Sequence, residues 1–509
     1  MLRGIATVGG WTMLSRLLGF LRDVLIAQLA GAGPVADAFF VALRVPNLFR
    51  RLFGEGAFNA AFVPEFSGVL ATEGAPAARQ FAQETIAVLS FWLLALTIVG
   101  EVFMPQIMGV IASGFEPSKL ALTVTLARIM FPYVILICLT ALLSGVLNGL
   151  DRFAAAAAAP VVFNTVSIAC MFALTPLVPT VGHALAWGVT GSGVLQLALL
   201  VWSVSRAGMP MRIPRPRMTP RMRQLLRRMV PGLLGAGVTQ LNLTVDILIQ
   251  SWLPPGSASV LYYADRVNQL PLGVIGTAVG TALLPLLSRQ ARTGEHAAAR
   301  ETLSRALEIT MAVTLPAALA LGVVGQPIMA VLFGRGAFDA QAALLSSQSL
   351  AAYAIGLPAF VVLKVLVPAF FAHGDTSTPV RVGLVAIGLN LTLNVAFMVP
   401  LQHMGPALAT SLSAIFNAAV LGIILSRKGR LSFDAQLRRR VPRMALAALA
   451  MAGALVWAER PLFALLGGGL GRWAALALLV GGGLAVYGAF AQIIGAVDGR
   501  AVLRLVRRG

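Results

Sequence analysis

Apolar stretches of about 18 residues or more recur from one end of this 509-residue chain to the other, and each is long enough for a helix to cross a bilayer. Few folds tolerate such a pattern. Inside lipid every backbone N–H and C=O has to be satisfied within the protein, so the runs are expected as membrane-spanning helices packed into a bundle. Only 11% of the residues are charged and 58% are hydrophobic, against about 25% charged in an ordinary soluble domain. A water-soluble enzyme and a disordered chain are both excluded. The expected class is an all-α polytopic membrane protein with about fourteen transmembrane helices.

Gly/Pro breaks and charge clusters place the spans near 5–30, 35–64, 83–106, 122–148, 158–178, 182–205, 229–253, 263–288, 306–328, 344–372, 382–400, 406–426, 442–459 and 473–495. The net charge of +20 would suggest a nucleic-acid partner in a soluble protein, but here its placement decides. One alternate set of loops and tails holds 27 of the 39 Lys/Arg, the opposite set only Lys119, Arg335, Arg460 and Arg472. Positive loops remain in the cytoplasm, so both termini are expected there, with no nucleic acid as partner. Met1-Leu2-Arg3 enters its apolar helix without a small-residue cleavage site, and the first span is expected to be retained.

The segment 206–228 carries eight arginines together with Pro214, Pro216 and Pro220, the strongest linker signal in the chain. It separates 1–206, an N-terminal six-helix lobe, from 229–426, a second one, with 207–228 as a basic cytoplasmic linker. Residues 427–509 add a basic loop, two further helices and a tail. The halves resemble each other: Arg44-Val45-Pro46-Asn47-Leu48 aligns with Arg266-Val267-Asn268-Gln269-Leu270, and Gly149-Leu150-Asp151 loosely with His373-Gly374-Asp375. Six spans per half make these parallel repeats about an axis along the membrane normal.

Charge inside the spans is expensive. Arg16, Arg22, Arg44, Arg50, Arg51, Arg128, Arg266 and Lys364 fall there, and a basic residue at a helix centre costs about 2.5 to 3.5 kcal/mol on the insertion scale. The carboxylates Asp23, Asp37, Glu55, Asp246 and Asp265 neutralise part of this charge, and the remainder points to a solvated cavity. Arg16 and Arg22 lie about 9 Å apart along one helix and roughly 120° apart around it, compatible with one wide cavity wall. Pro46, Gly54 and Gly56 are expected to break the second span, with Arg50 and Arg51 between the breaks and Glu55 four residues beyond Arg51. Guanidinium forks match phosphate oxygens, so Arg16, Arg22, Arg50, Arg51, Arg266 and Lys364 are candidates for binding a diphosphate, with Asp23, Asp37, Glu55 and Asp265 as gating or ion-pairing partners. For Arg44 and Arg128 the simpler reading, snorkelling or a structural pair, is preferred.

Asp246, Asn390, Asn394 and Thr410 offer oxygens that suit a sodium ion, or a proton on Asp246, as a coupling ion; the competing reading makes the asparagines interhelical hydrogen-bond glue. No further cofactor is expected. None of the three lysines follows a glycine, so no phosphate-binding P-loop is present. His183, His296, His373 and His403 lack metal-ligand spacing, and the outer loops offer too few carboxylates for a glycosyl-transfer site. Cys138 and Cys170 read as small apolar packing residues. An enzyme is not expected.

Several stretches carry a resemblance: Ser15-Arg16 with Leu18-Gly19-Phe20-Leu21-Arg22-Asp23, then Gly31-Ala32-Gly33, Ala36-Asp37-Ala38-Phe39-Phe40, Pro46-Asn47-Leu48-Phe49-Arg50-Arg51-Leu52-Phe53, Glu55-Gly56-Ala57-Phe58 and Tyr262-Tyr263-Ala264-Asp265-Arg266. In these residues the chain resembles the MurJ/MviN lipid II flippases of the multidrug/oligosaccharidyl-lipid/polysaccharide exporter superfamily. The resemblance implies two six-helix lobes around a central cavity, and a groove for a polyprenyl tail made by the last two helices. It also implies that Arg16, Arg22, Arg51, Arg266, Asp37, Glu55 and Lys364 serve the cavity and its gating. Asn394 stands where some relatives carry an acidic residue, which weakens transfer of a sodium site to this chain. The implied function is movement of lipid II to the outer leaflet of the bacterial inner membrane by alternating access, driven by membrane potential or an ion gradient and not by ATP. Lipid II, membrane lipids and the cell-wall synthesis machinery are the implied partners. An exporter of another polyprenyl-diphosphate-linked saccharide, and a cation-coupled drug exporter, are the alternatives.

Overall fold

In the computed structural model the backbone is described for residues 2–51, 57–432 and 434–496, and side chains for these except 2–6, 57, 59–60, 231–244 and 274–282. Among the described residues the regular structure is all helical, as the apolar runs predict. The first unit of the chain, Met1–Ser259, contains α1 (Leu2–Ala30), α2 (Pro34–Phe49), α3 (Ala57–Ile111), α4 (Pro117–Met130), α5 (Tyr133–Gly149), α6 (Phe153–Leu174), α7 (Val181–Arg206) and α8 (Pro220–Ser251). Helix α9 (Ser257–Arg292) starts at its end and continues into the second unit, Val260–Gly509. That unit holds α10 (His296–Val323), α11 (Gly325–Phe333), α12 (Ala340–Ala372), α13 (Ser377–Met398), α14 (Met404–Arg427), α15 (Ala435–Leu466) and α16 (Gly471–Ile493).

Ten spans among the described residues are long and apolar enough to cross a membrane. Those ten correspond to expected spans, with α4 and α5 forming one and α3 running beyond the third. The remaining expected spans correspond to α1, α2, α8 and α9, the helices that carry most of the intramembrane charge. Helix α2 passes through Pro46 and ends at Phe49, and Arg50 and Arg51 follow in a wider π-type turn. Pro46 therefore does not break the helix, contrary to the expectation. Glu55, with Gly54 and Gly56, lies outside the described residues.

The two units repeat a packing pattern. In the first, α3 packs on α5, α5 on α7 and α6 on α7; in the second, α10 packs on α12, α12 on α14 and α13 on α14. Small residues make these approaches possible, as expected where lipid provides no hydrophobic drive between helices. A Cβ on Gly356 of α12 would stand 2.7 Å from the Cα of Ser411 in α14, whose hydroxyl donates to the Ala352 carbonyl at 2.7 Å. Across α6 and α7, the Ser167 and Ser192 hydroxyls lie 3.0 Å apart and the Gln196 amide donates to the Ala159 carbonyl at 2.8 Å. Cys138 and Cys170 are both free thiols.

Helix α8 joins α3 at both of its ends. Near its start, Arg228 pairs with Glu65 and Arg221 with Glu73, the latter at 2.6 Å; past its end, Trp252 Nε1 donates to the Ser113 hydroxyl at 3.1 Å. Stacked Phe58, Phe62, Phe66 and Phe81 fill the space beneath, with Met222, Leu225 and Met229 of α8 in the same core. In the second unit, α15 is tied to α10 by ionic contacts. Arg305 reaches both Glu308 and Asp434, and Arg440 also reaches Glu308, whose side chain is buried. The Ser304 hydroxyl donates to the Ser432 carbonyl at 2.7 Å beside them.

Candidate functional site

Arg22 is held from two directions on α1. Its Nη2 lies 2.9 Å from Oδ1 of the fully buried Asp23, and its guanidinium stands 5.3 Å from the centre of the Phe163 ring on α6. Helix α1 is fixed against α6 by the Asn164 amide, which donates to the Ser15 carbonyl at 3.1 Å. A guanidinium oriented by a carboxylate and a ring keeps its outer edge directed, and less rotamer freedom is lost when an anion arrives. Arg16, one and two-thirds turns earlier, is exposed. Arg50 Nε donates to the Asn47 side-chain oxygen at 3.2 Å, and Arg51 beyond it is exposed.

Asp37 occupies the first turn of α2, where its charge favours the helix N-terminus. Its side chain is 1% exposed and accepts four hydrogen bonds: from Lys119 Nζ at 2.6 Å and Gly256 N at 2.7 Å on one oxygen, and from Ser259 N at 2.8 Å and Ser259 Oγ at 2.7 Å on the other. Lys119, at the start of α4, also lies 3.9 Å from the centre of the Phe115 ring. Asp37 therefore holds the lead-in and first turn of α9. Gly256 is required there: its φ is +92°, and a Cβ would come within 2.8 Å of the Ala32 carbonyl oxygen.

Asp265 and Arg266 follow on α9, both half-buried, and the Gln269 amide donates to Asp265. Lys364, half-buried on α12, has its Nζ 3.5 Å from the Leu272 carbonyl of α9. The second unit thus brings a lysine and the stretch after Arg266 toward each other. Arg128, read as structural, donates from Nε to the Glu101 carbonyl at 3.2 Å and is otherwise exposed.

Asn390, Asn394 and Thr410 come together between α13 and α14. Asn390 Nδ2 donates to the Thr410 hydroxyl at 3.3 Å, and Asn394 Nδ2 donates to the Asn390 side-chain oxygen at 2.9 Å. Asp246 belongs to α8 in the other unit and is half-buried. Among the described residues no group of three or more His, Cys, Asp or Glu is placed to hold a metal ion.

The sequence alone did not pair Lys119 with Asp37, because Lys119 counts there as an outer-loop charge. Nor did it single out Glu308, which sits beside a basic loop; its signal was Arg305 three residues earlier on the same helix face.

A family model described as lipid II flippase MurJ matches residues 26–465. The chain belongs to the MurJ lipid II flippase family. A probable lipid II flippase MurJ of Rhizobium meliloti is 43% identical over 462 residues, covering 89% of this chain and 86% of that protein. The lipid II flippase MurJ of Burkholderia cenocepacia is 35% identical over 464 residues, covering 89% of each chain. Among solved structures, a lipid II flippase MurJ in an inward closed conformation matches with a TM-score of 0.80 and 25% identity, over 96% of this chain and 98% of that one. An inward-facing multidrug resistance MATE family transporter shares the fold, with a TM-score of 0.66 at 12% identity over 84% of this chain and 99% of that one. The MurJ family is one of transporters, so the chain is not an enzyme, and the multi-pass membrane fold read from the apolar runs is that of the family.

Proposed function

We propose that this protein moves lipid II from the cytoplasmic to the outer leaflet of the inner membrane by alternating access. The observation that carries the reading is the likeness to named lipid II flippases over nearly the whole chain, at 43% identity to the Rhizobium meliloti relative. The charge pattern supports it. Arg22 is pre-oriented by Asp23 and Phe163, Arg16, Arg50 and Arg51 share the first unit with it, and Arg266 and Lys364 belong to the second. Guanidinium groups recognise the diphosphate, and the polyprenyl tail stays in lipid throughout.

Loops rich in arginine mark the cytoplasmic side in this reading, which puts both termini there and Asp37 near the outer face. Asp37, with Lys119 and the first turn of α9, is then the closure that has to open before the headgroup leaves. Moving one charge across 100 mV is worth about 2.3 kcal/mol, so an inside-negative potential assists export of a diphosphate by several kcal/mol without ATP. The hydrogen bonds donated by the Asn390 and Asn394 amide nitrogens within their cluster support the reading of interhelical glue, and the drive proposed is the membrane potential. The cell-wall synthesis machinery, which consumes lipid II outside, is the expected downstream partner.

The test is a titration of purified protein with lipid II followed by native mass spectrometry, for wild type, Arg22→Ala and Arg266→Ala, with a polyprenyl monophosphate as competitor. Saturable binding that prefers the diphosphate and weakens in both variants is expected. Equal binding by all three proteins would make the arginines structural and remove the cavity mechanism. Rescue of growth after depletion of a resident lipid II flippase separates lipid II from other polyprenyl-linked saccharides.

A further inference from the structure

A groove of about 680 Å³ runs between α10, α12, α14 and α15 in the second unit, a volume typical of small-ligand sites. Leu307, Val362, Gly422, Leu437 and Val441 give it an apolar wall, and Arg427 and Arg438 stand on its rim. It opens outward along α14, where the lining residue Ile423 remains 52% exposed. Neither the mechanism nor the family likeness uses this groove. Its wall takes only the first turns of α15 and nothing from α16, so it is not a groove between the last two helices.

The surrounding cations divide into two groups. Arg305 and Arg440 are neutralised by Glu308 and Asp434, and Lys428 by Asp375 at 2.7 Å. Arg427 and Arg438 have no ion-paired or hydrogen-bonded side-chain partner among the described residues, and Nη1 of nearby Arg430 is buried without a hydrogen-bond partner. Apolar walls between membrane helices beneath a rim of uncompensated arginines match a molecule with a long hydrocarbon chain and a phosphate. Basic pockets of this kind at the membrane surface recognise anionic lipid headgroups.

We propose that the groove holds an acyl chain of an anionic glycerophospholipid whose phosphate is met by Arg427 and Arg438. The lipid neutralises the rim and fills the gap between the ion-paired α10–α15 contact and α14. The occupant is a resident lipid of the bilayer and not the transported substrate, so the proposal stands apart from the flippase reading.

Native mass spectrometry of the purified full-length protein tests it, with dioleoylphosphatidylglycerol and dioleoylphosphatidylcholine as probes. Four variants are compared with wild type: Arg427→Ala/Arg438→Ala, Arg427→Lys/Arg438→Lys, Arg439→Ala and Gly422→Leu. A Cβ on Gly422 meets only Leu366 Cδ1 at 3.9 Å, so a larger side chain there enters the groove without a clash at its root. The wild type is expected to hold phosphatidylglycerol in preference to phosphatidylcholine. The alanine pair should weaken that adduct by roughly tenfold or more, from about 1 kcal/mol per basic residue near the surface. The lysine pair and Arg439→Ala should retain it, and Gly422→Leu should lose it while keeping the wild-type melting temperature. Should the alanine pair fail to fold, Gly422→Leu and the lysine pair decide. No headgroup preference, or an equal loss in Arg439→Ala, would reduce the effect to surface charge and overturn the proposal. One-for-one displacement by undecaprenyl phosphate would assign the groove to the substrate's tail and overturn it as well.

Discussion

Asp37 and Lys119, 82 residues apart in sequence, meet at 2.6 Å with their side chains 1% and 9% exposed. Each is costly to bury alone, and the carboxylate is completed by three more donors from Gly256 and Ser259. Removing Asp37 leaves a buried ammonium and two backbone N–H groups unpaired. Asp37→Ala is therefore expected to lose about 3 to 5 kcal/mol of stability, seen as a drop in the melting temperature of the purified protein. Lys119→Met removes the opposing charge and retains the Gly256 and Ser259 donors, so it should cost less. An Asp37→Ala protein as stable as wild type would show that α2 and the start of α9 are held by packing alone.

Arg22 is more than a positive charge. Its fork engages Asp23 while its plane lies near Phe163, and a lysine reproduces neither geometry. Arg22→Lys is expected to weaken lipid II binding by roughly tenfold, nearly as much as Arg22→Ala. In the same titration a lysine variant with wild-type affinity would reduce the residue to a point charge.

The pair between Lys428 and Asp375 predicts an acid dependence. The hydrogen bond from Lys428, reinforced by the N–H and hydroxyl of Thr378, holds the Asp375 carboxyl well below its ordinary value. A depressed carboxylate stabilises the folded chain above its unfolded pKa of about 4, and that contribution disappears as pH falls through the folded value. At pH 7 the Asp375→Asn protein should melt below wild type. The gap should begin to narrow below about pH 4 and close only as pH approaches the lower folded value, as followed by thermal melts across pH.

Asn390 donates to Thr410 and Asn394 to Asn390 through their amide nitrogens, as interhelical glue would, and the membrane potential is the proposed drive. The wild-type melting temperature is then expected to be the same in sodium and in choline chloride at equal ionic strength. Asn394→Asp restores a carboxylate to the cluster and should introduce a sodium-dependent rise. A clear sodium shift in the wild type would return the coupling ion to this site.

Gly356 sets how closely α12 and α14 approach. A Cβ there meets the Cα of Ser411 at 2.7 Å, and a backbone neighbour cannot swing aside as a flexible side chain does. Gly356→Val is expected to destabilise the protein by about 1 to 3 kcal/mol, whereas Gly422→Leu on the same pair of helices is tolerated.

The helices were legible because hydropathy over about 20 residues is a local property, and the family likeness was legible in the short charged motifs of α1 and α2. What the sequence concealed lies in partnerships across the fold. Nothing near Lys119 announces Asp37, and Ser259 looks like an ordinary residue after a Pro-Pro-Gly turn. Pro46 misled in the other direction. A proline signals a break, yet α2 passes through it and ends only at Phe49. The arginines were found from their cost in lipid, and Asp23 as a partner from its place beside Arg22, but the ring that orients Arg22 required the packing of α1 on α6.

The ionic knot of Glu308 with Arg305, Arg440 and Asp434 changes the standing of the last two helices. A hairpin beyond the twelve-helix repeat looks like an appendage that a shorter protein could omit. Cutting the chain after Leu431, however, would take Asp434 and Arg440 out of the network that fixes Arg305 and Glu308, and with α16 it would remove the Tyr487 hydroxyl that donates to the Ala312 carbonyl of α10 at 2.7 Å. The addition has become a structural obligation, and a minimal version of this transporter is expected to require residues as far as α16.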